Sequence, residues 1–307
     1  MPINQHLPAW LKKPYKGVQT FLQNVRDSFR FSLRKTHKAV QELQSTRQLN
    51  DELLIETILY ELPNSGVKRP KIKTADETIN ELINSGKNIV SYGDGEIMVL
   101  DGGGIPFQRA DKELTRRLRD IFSDKQENLL VALSASYYKP CIFGEKNPMY
   151  KAFAMYSLPK CRKMLEPFID YERWYWEMGI NGKTYFDIWR NFFAGKKLVL
   201  VGCKEAFDSY EFNIFDTASE LCYEFVPNKH AFSEYESILS RLMDYDKTYT
   251  HILMCGPTAN VLVADLTKAG YRALDLGHLA KSYDWHKKGI DTSKSGDNVV
   301  KFFDPDE

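Results

Sequence analysis

The sequence predicts an α/β protein: a Rossmann-like, mainly parallel sheet flanked by helices, preceded by an N-terminal helical extension. Three observations carry this expectation. Short apolar runs recur with helical stretches between them from residue 71 onward, capping signals open two of those stretches, and glycines stand directly after strands. The 307 residues are 43% hydrophobic and 13% aromatic, which excludes global disorder. With 42 Lys and Arg against 41 Asp and Glu, the net charge of +1 gives no whole-molecule attraction for nucleic acid. The chain reads as three parts: an extension over 1–66, a main domain over 67–290 and a tail over 291–307.

The extension comes first. Lys12, Lys13, Lys16, Arg26, Arg30, Arg34, Lys35 and Lys38 face a single acid, Asp27, while Val18, Phe21, Leu22, Val25 and Phe29 recur at helical spacing. This is a basic amphipathic helix. It suits an anionic membrane surface, with Trp10 and Tyr15 nearby, and equally suits docking on its own domain or on a second copy in a homo-oligomer. The absence of an apolar leader or of any long apolar run leads us to expect a cytoplasmic protein, soluble or peripheral on the inner face of a membrane. A more acidic helical stretch over 51–62 follows, and Pro63, Gly66 and Pro70 punctuate a linker.

In the main domain, Thr74 and Glu77 form a capping box that opens a helix ending at Gly86. Strands are expected at 88–92, 129–133, 197–201, 223–226, 251–255 and 272–276. Ser233 and Glu236 suggest a second capping box, and Pro257 the first turn of a helix running to Gly270. The aromatic-rich stretch over 149–193 reads as helical. The five cysteines are odd in number and show no metal-ligand spacing, so they read as reduced thiols.

Ligands of open α/β sheets bind beyond the carboxyl ends of strands. Two such loops stand out. In the first, Gly93-Asp94-Gly95-Glu96 places two carboxylates one residue apart between glycines, a pattern that can offer several oxygens to a hard divalent cation, which in turn could bridge a diphosphate. The plainer reading has Asp94 capping the next helix. In the second, Gly256-Pro257-Thr258 sits at a helix start, where backbone N–H groups favour an anion or merely make a turn. His278 stands at a third strand end and could serve as acid, base or phosphate contact. Asp275 beside it reads as structural. No GxGxxG or P-loop motif is present, which disfavours dinucleotide binding and P-loop ATP hydrolysis.

These blocks, taken in order, are familiar. Tyr92-Gly93-Asp94-Gly95-Glu96 with Phe107-Gln108, then 227–232, Gly256-Pro257-Thr258-Ala259, Asp265-Leu266, Gly270-Tyr271, Asp275-Leu276-Gly277-His278 and Tyr283-Asp284-Trp285 resemble the bacterial GT-D-type glycosyltransferases over about 71–285. The resemblance implies a metal-dependent glycosyltransferase of surface polysaccharide, lipopolysaccharide or glycoprotein assembly. It would move a sugar from a nucleotide-sugar, a UDP-sugar, to a glycan, glycolipid or glycoprotein acceptor. Carried over, Asp94 and Glu96 would hold Mn2+ or Mg2+ and act catalytically with His278, while Gly93, Gly95, Gln108, Lys229, Gly256, Pro257 and Thr258 would line the donor site. Glu96, Asp101 and His278 are the candidate general bases. Tyr92 stands where the family carries Arg, so a positive contact would come from Lys204, Lys229 or Arg109; His230 replaces an Asn. The competing classes are a non-catalytic nucleotide- or glycan-binding subunit and a metal-dependent phosphohydrolase.

Overall fold

The computed structural model describes residues 68, 70–133, 165–177 and 183–290, without the side chains of Asp94, Lys183 and Thr184. The extension over 1–66, the tail over 291–307 and residues 149–164 of the aromatic stretch lie outside the described residues.

The elements run β1 (Lys71–Lys73), α1 (Ala75–Ser85), β2 (Asn88–Tyr92), α2 (Asp94–Leu100), α3 (Lys112–Ser123), β3 (Leu129–Leu133) and β4 (Trp174–Glu177). There follow α4 (Lys183–Phe193), β5 (Lys197–Gly202), α5 (Lys204–Ser209), β6 (Glu220–Phe225), a 3-10 turn (Ala231–Glu234), α6 (Tyr235–Met243), β7 (Tyr249–Leu253), α7 (Pro257–Lys268), β8 (Arg272–Asp275) and α8 (Leu279–Lys287). The strands form one sheet in the order β1-β4-β3-β2-β8-β7-β5-β6, with every pairing parallel.

Strand alternation sorts the side chains onto two faces. On one, Ile89, Leu130, Ala132, Leu198, Leu200, Ile252 and Leu274 pack with Ile79 and Leu82 of α1, Phe186, Trp189 and Phe193 of α4, and Leu279 and Tyr283 of α8. On the other, α7 lies across β2 and β8 and touches α2, α3 and α6. Arg117 of α3 and Tyr235 of α6 both bond to the Asp265 carboxylate of α7, tying these three helices together. Helices entered by a step toward β1 lie on this face, and those entered by a step toward β6 lie on the opposite one, as right-handed crossovers require. Loops leaving β2 and β7 therefore part from the loop leaving the β8 strand between them, which opens a crevice at their carboxyl ends.

Much of the expected local chemistry is present. Thr74 and Glu77 form the capping box, Gly86 ends α1 with φ 70°, and Pro257 occupies the first turn of α7. Two expectations are corrected and one strand is added. The segment Trp174–Glu177 is a strand rather than helix, paired in parallel with β1 on one side and β3 on the other, with Tyr175 fully buried and Trp174 half-exposed. The short strand β1, which pairs with it, was not anticipated. Ser233 does not cap α6, because the left-handed backbone at His230 starts a 3-10 turn and the Ser233 hydroxyl donates back to the His230 carbonyl.

Cys203, Cys222 and Cys255 are free thiols. No helix among the described residues is long and apolar enough to cross a membrane.

Candidate functional site

At the end of β2 the backbone does not form an open loop. Gly93 is the N-cap of α2, Asp94 its first residue, and the Gly93 N–H donates to Glu96 Oε2 at 2.8 Å. Glu96 thus caps the helix start, and its carboxylate is turned back to the positive end of the helix. Positions 94 and 96 diverge by about 200° around a helix axis, so it is this backward turn that returns the Glu96 carboxylate to the strand end. A Cβ at Gly95 would meet Ile105 Cδ1 at 3.2 Å, so the loop after α2 rests directly on that glycine. Asp101 is the C-cap of α2, about 10 Å further along the axis, and Gly102 with φ 80° begins the turn that follows.

The Ile105 loop is clamped from outside. His230, with φ 62°, donates its N–H to Phe107 O at 2.7 Å and accepts the Arg109 N–H on Nδ1 at 3.0 Å, which places the proton of a neutral ring on Nε2. Gln108 is 4% exposed; its Nε2 donates to Arg109 O and its Oε1 accepts the Phe232 N–H. Both ends of this amide serve the backbone, so Gln108 shapes the rim, with exposed Lys229 on the facing loop.

Asp275 and Asn260 join the ends of β2, β8 and β7. Asp275 Oδ2 accepts the Ser91 N–H at 3.0 Å and Oδ1 the Gly277 N–H at 3.2 Å, while Asn260 Nδ2 donates to Ser91 O at 2.9 Å. Burial pushes the Asp275 carboxyl up to about 7 against the opposing pull of those two N–H donors. Burial, with the Asp275 charge, also pushes the Cys255 thiol up.

After β7, Gly256 adopts φ 58° and ψ −148°, a conformation open essentially to glycine, and starts α7. Pro257, Thr258 and Asn260 follow in its first turn. Thr258 Oγ1 and Asn260 Oδ1 are buried without a hydrogen-bond partner, so two acceptors and one hydroxyl donor stand unmatched at a helix start. At the end of β8, the Gly277 turn (φ 52°) leads to His278. His278 reaches solvent, yet crowding by surrounding atoms and then the Lys281 ammonium hold its imidazole down to about 4; burial likewise brings Lys281 down to about 8.

This fold and these strand ends match a known family. The model of the family described as glycosyltransferase GT-D fold matches residues 89–298. The chain belongs to that family. A probable glycosyl transferase, Gly, of Streptococcus gordonii is 28% identical over 254 residues, covering 78% of this chain and 36% of the relative. Glycosyltransferase GlyD of Streptococcus pneumoniae serotype 4 is 28% identical over 240 residues, covering 72% and 28%. The chain therefore spans about a third of the length of the curated relatives it matches. A solved structure described as a new glycosyltransferase (DUF1792) from Streptococcus sanguinis superposes with a TM-score of 0.65 at 26% identity, covering 72% of this chain and 86% of that one.

In this GT-D-fold chain the structure gathers Gly93, Gly95 and Glu96, then Gly256, Pro257 and Thr258, then His278, at three neighbouring strand ends. Gln108 and Lys229 form an outer rim. Tyr92 faces away from the crevice: it is fully buried, packs against Phe122 with ring centroids 4.4 Å apart and donates to Leu118 O. A tyrosine here supports α3. Of the alternative cations, Lys204 is paired with Asp208 on α5 and Arg109 is exposed on the rim. Asn260 and Lys281 were missed from sequence. A helical register counted from Pro257 would have placed Asn260 in the first turn, and counting three residues from His278 would have found Lys281.

The fit to a divalent cation rests on chemistry. Among the described residues no three His, Cys, Asp or Glu side chains gather as a metal cage. One or two carboxylates completed by substrate phosphates is the usual protein share of a Mg2+ site, and Glu96 beside position 94 supplies that share.

Proposed function

We propose that this chain is a metal-dependent glycosyltransferase that takes its sugar from a nucleotide-sugar, in the first instance a UDP-sugar, and delivers it to a glycan, glycolipid or glycoprotein. One observation carries the reading. The Glu96 carboxylate at the end of β2 and the unmatched Thr258 hydroxyl at the start of α7 flank the same strand end, β8, so an acid for a cation and donors for an anion share one crevice.

Asp94 and Glu96 would hold Mn2+ or Mg2+, which when bound neutralises the charge that grows on the departing diphosphate. The N–H groups of the Gly256–Thr258 turn and the dipole of α7 favour the same diphosphate, and Thr258 Oγ1 gains a partner from it. Lys281, in the first turn of α8, supplies the cation that position 92 does not. A diphosphate beside Lys281 and His278 raises the affinity of both for protons, which strengthens the neutral His278 imidazole as acceptor of the sugar acceptor's hydroxyl proton. Asp101, at the far end of α2, is too distant for that role. Two streptococcal relatives named as glycosyltransferases support this reading. The basic extension would hold the enzyme peripherally on the cytoplasmic face of a membrane.

Calorimetric titration of UDP in the presence of manganese tests the donor site. Wild type binds, and Thr258→Val, which keeps the shape and removes the hydroxyl, binds about tenfold more weakly. Equal affinity in the two proteins counts against the α7 start as the diphosphate site.

A further inference from the structure

The edge strand β6 carries a second feature. Tyr223 and Phe225 stand in register beside Leu200 and Gly202 of β5, on the face that α1, α4 and α8 cover elsewhere. Here the cover is Phe207 of α5, whose ring meets Tyr223 edge-on at 5.4 Å and lies 6.5 Å from Phe225. Tyr223 and Phe225 are near-parallel, 25° apart with centroids at 6.0 Å, and remain 41% and 45% exposed. Aromatic rings of the covered part of this face, Trp189 and Phe193, are 1% and 0% exposed.

The shelf adjoins the carboxyl ends of β5 and β7. The Phe207 ring would lie 3.0 Å from a Cβ at Gly202, and Met254 O 3.5 Å from it; Met254 leads directly into the Cys255-Gly256 turn. Polar groups stand at its border, where Lys204 Nζ lies 5.6 Å from the Phe225 centroid and pairs with Asp208 at 2.6 Å.

We infer that Phe207, Tyr223 and Phe225 form a saccharide subsite that receives the acceptor sugar, an inference that rests on the proposed transferase reading. A pyranose presents an apolar C–H face of the size of an aromatic ring and hydroxyls around its edge, which match two flat rings bordered by an ammonium and a carboxylate. Three rings, two of them half-exposed, offer a few hundred Å2, well below the roughly 800 Å2 per partner of a stable protein interface. The acidic residues on the opposite face of β6 are already committed, Glu220 to Lys197 and Tyr249, and Glu224 to Arg241 and Tyr245.

Saturation-transfer NMR with methyl glycosides of glucose, galactose and N-acetylglucosamine, and with their β-linked disaccharides, tests the subsite. A double variant, Tyr223→Leu with Phe225→Leu, keeps apolar bulk on the edge strand and removes the ring faces. Wild type should bind at least one saccharide through its ring C–H protons, and the variant should bind it about tenfold more weakly. UDP affinity in manganese, measured on the same samples, should be equal. Undiminished saccharide binding by the variant, no saccharide binding by wild type, or a wild-type dimer that the variant dissolves would each overturn the subsite. Loss of UDP binding in both proteins would instead strike at the transferase reading.

Discussion

The Asp275 carboxylate accepts the Ser91 N–H at 3.0 Å, and through it the end of β8 holds the end of β2. Its second oxygen holds Gly277, so one side chain sets the spacing between the Gly93 turn and the His278 turn. Desolvation outweighs both hydrogen bonds and keeps the folded carboxyl near 7, above its ordinary 3.8. Below about 4 both states are protonated. Between about 4 and 7 the unfolded chain releases its proton while the folded one retains it, so this group's stabilising contribution declines through that window and is lost above it. The stability difference between wild type and Asp275→Asn, followed by urea denaturation from pH 4 to 8, should therefore shrink by a few kcal/mol as pH rises. A pH-independent difference would refute the assignment.

Glu96 has two separable roles. Its Oε2 caps α2 through the Gly93 N–H, a task that the amide oxygen of Glu96→Gln can take over. Glu96→Gln should keep stability within about 1 kcal/mol of wild type and lose cation-dependent donor turnover, whereas Glu96→Ala should lose both, with roughly 1 kcal/mol of stability. Thermal denaturation and nucleotide release on the two variants check this. Equal behaviour of the two would merge the roles.

At Gly256 an added Cβ meets no atom within 4 Å, so space is not the constraint there. The constraint is backbone, with φ 58° and ψ −148°. Gly256→Ala should cost about 1–3 kcal/mol in urea denaturation and weaken UDP binding by re-aiming the first N–H groups of α7. A variant as stable as wild type would show that the turn relaxes without strain.

Much of this was legible in the sequence because local chemistry and tertiary structure agree. The Thr74–Glu77 box, the Gly86 stop and Pro257 fix helix ends wherever they occur, and the buried strands β3 and β5 read as continuous apolar runs. What failed was decided by distant partners. The Trp174–Glu177 run is too short to show its period, and it becomes a strand because Lys71–Lys73 and β3 pair with it. Ser233 matched a cap pattern, but its hydroxyl was taken by a turn that His230 starts, and His230 is held by the remote Phe107 carbonyl.

The site divided in the same way. Glycine-flanked acids after β2 and the Gly256-Pro257-Thr258 turn follow directly from motif and strand order. That Tyr92 faces Phe122 and Leu118 rather than the crevice is a matter of which face of β2 meets α3, and a strand buried on both faces carries no polar alternation to reveal it. The proposed role of Lys281 could not be read from the motif, because it depends on the Gly277 turn (φ 52°) that starts α8 directly after β8.

The most direct test of the whole account is release of UDP from UDP-glucose, UDP-galactose and UDP-N-acetylglucosamine by the purified chain in manganese, compared with Asp94→Asn and Glu96→Gln. The account predicts release by wild type from at least one donor, abolished by chelation, and a fall of about a hundredfold or more in both variants while they stay folded. Release at the parental rate by either variant would contradict it.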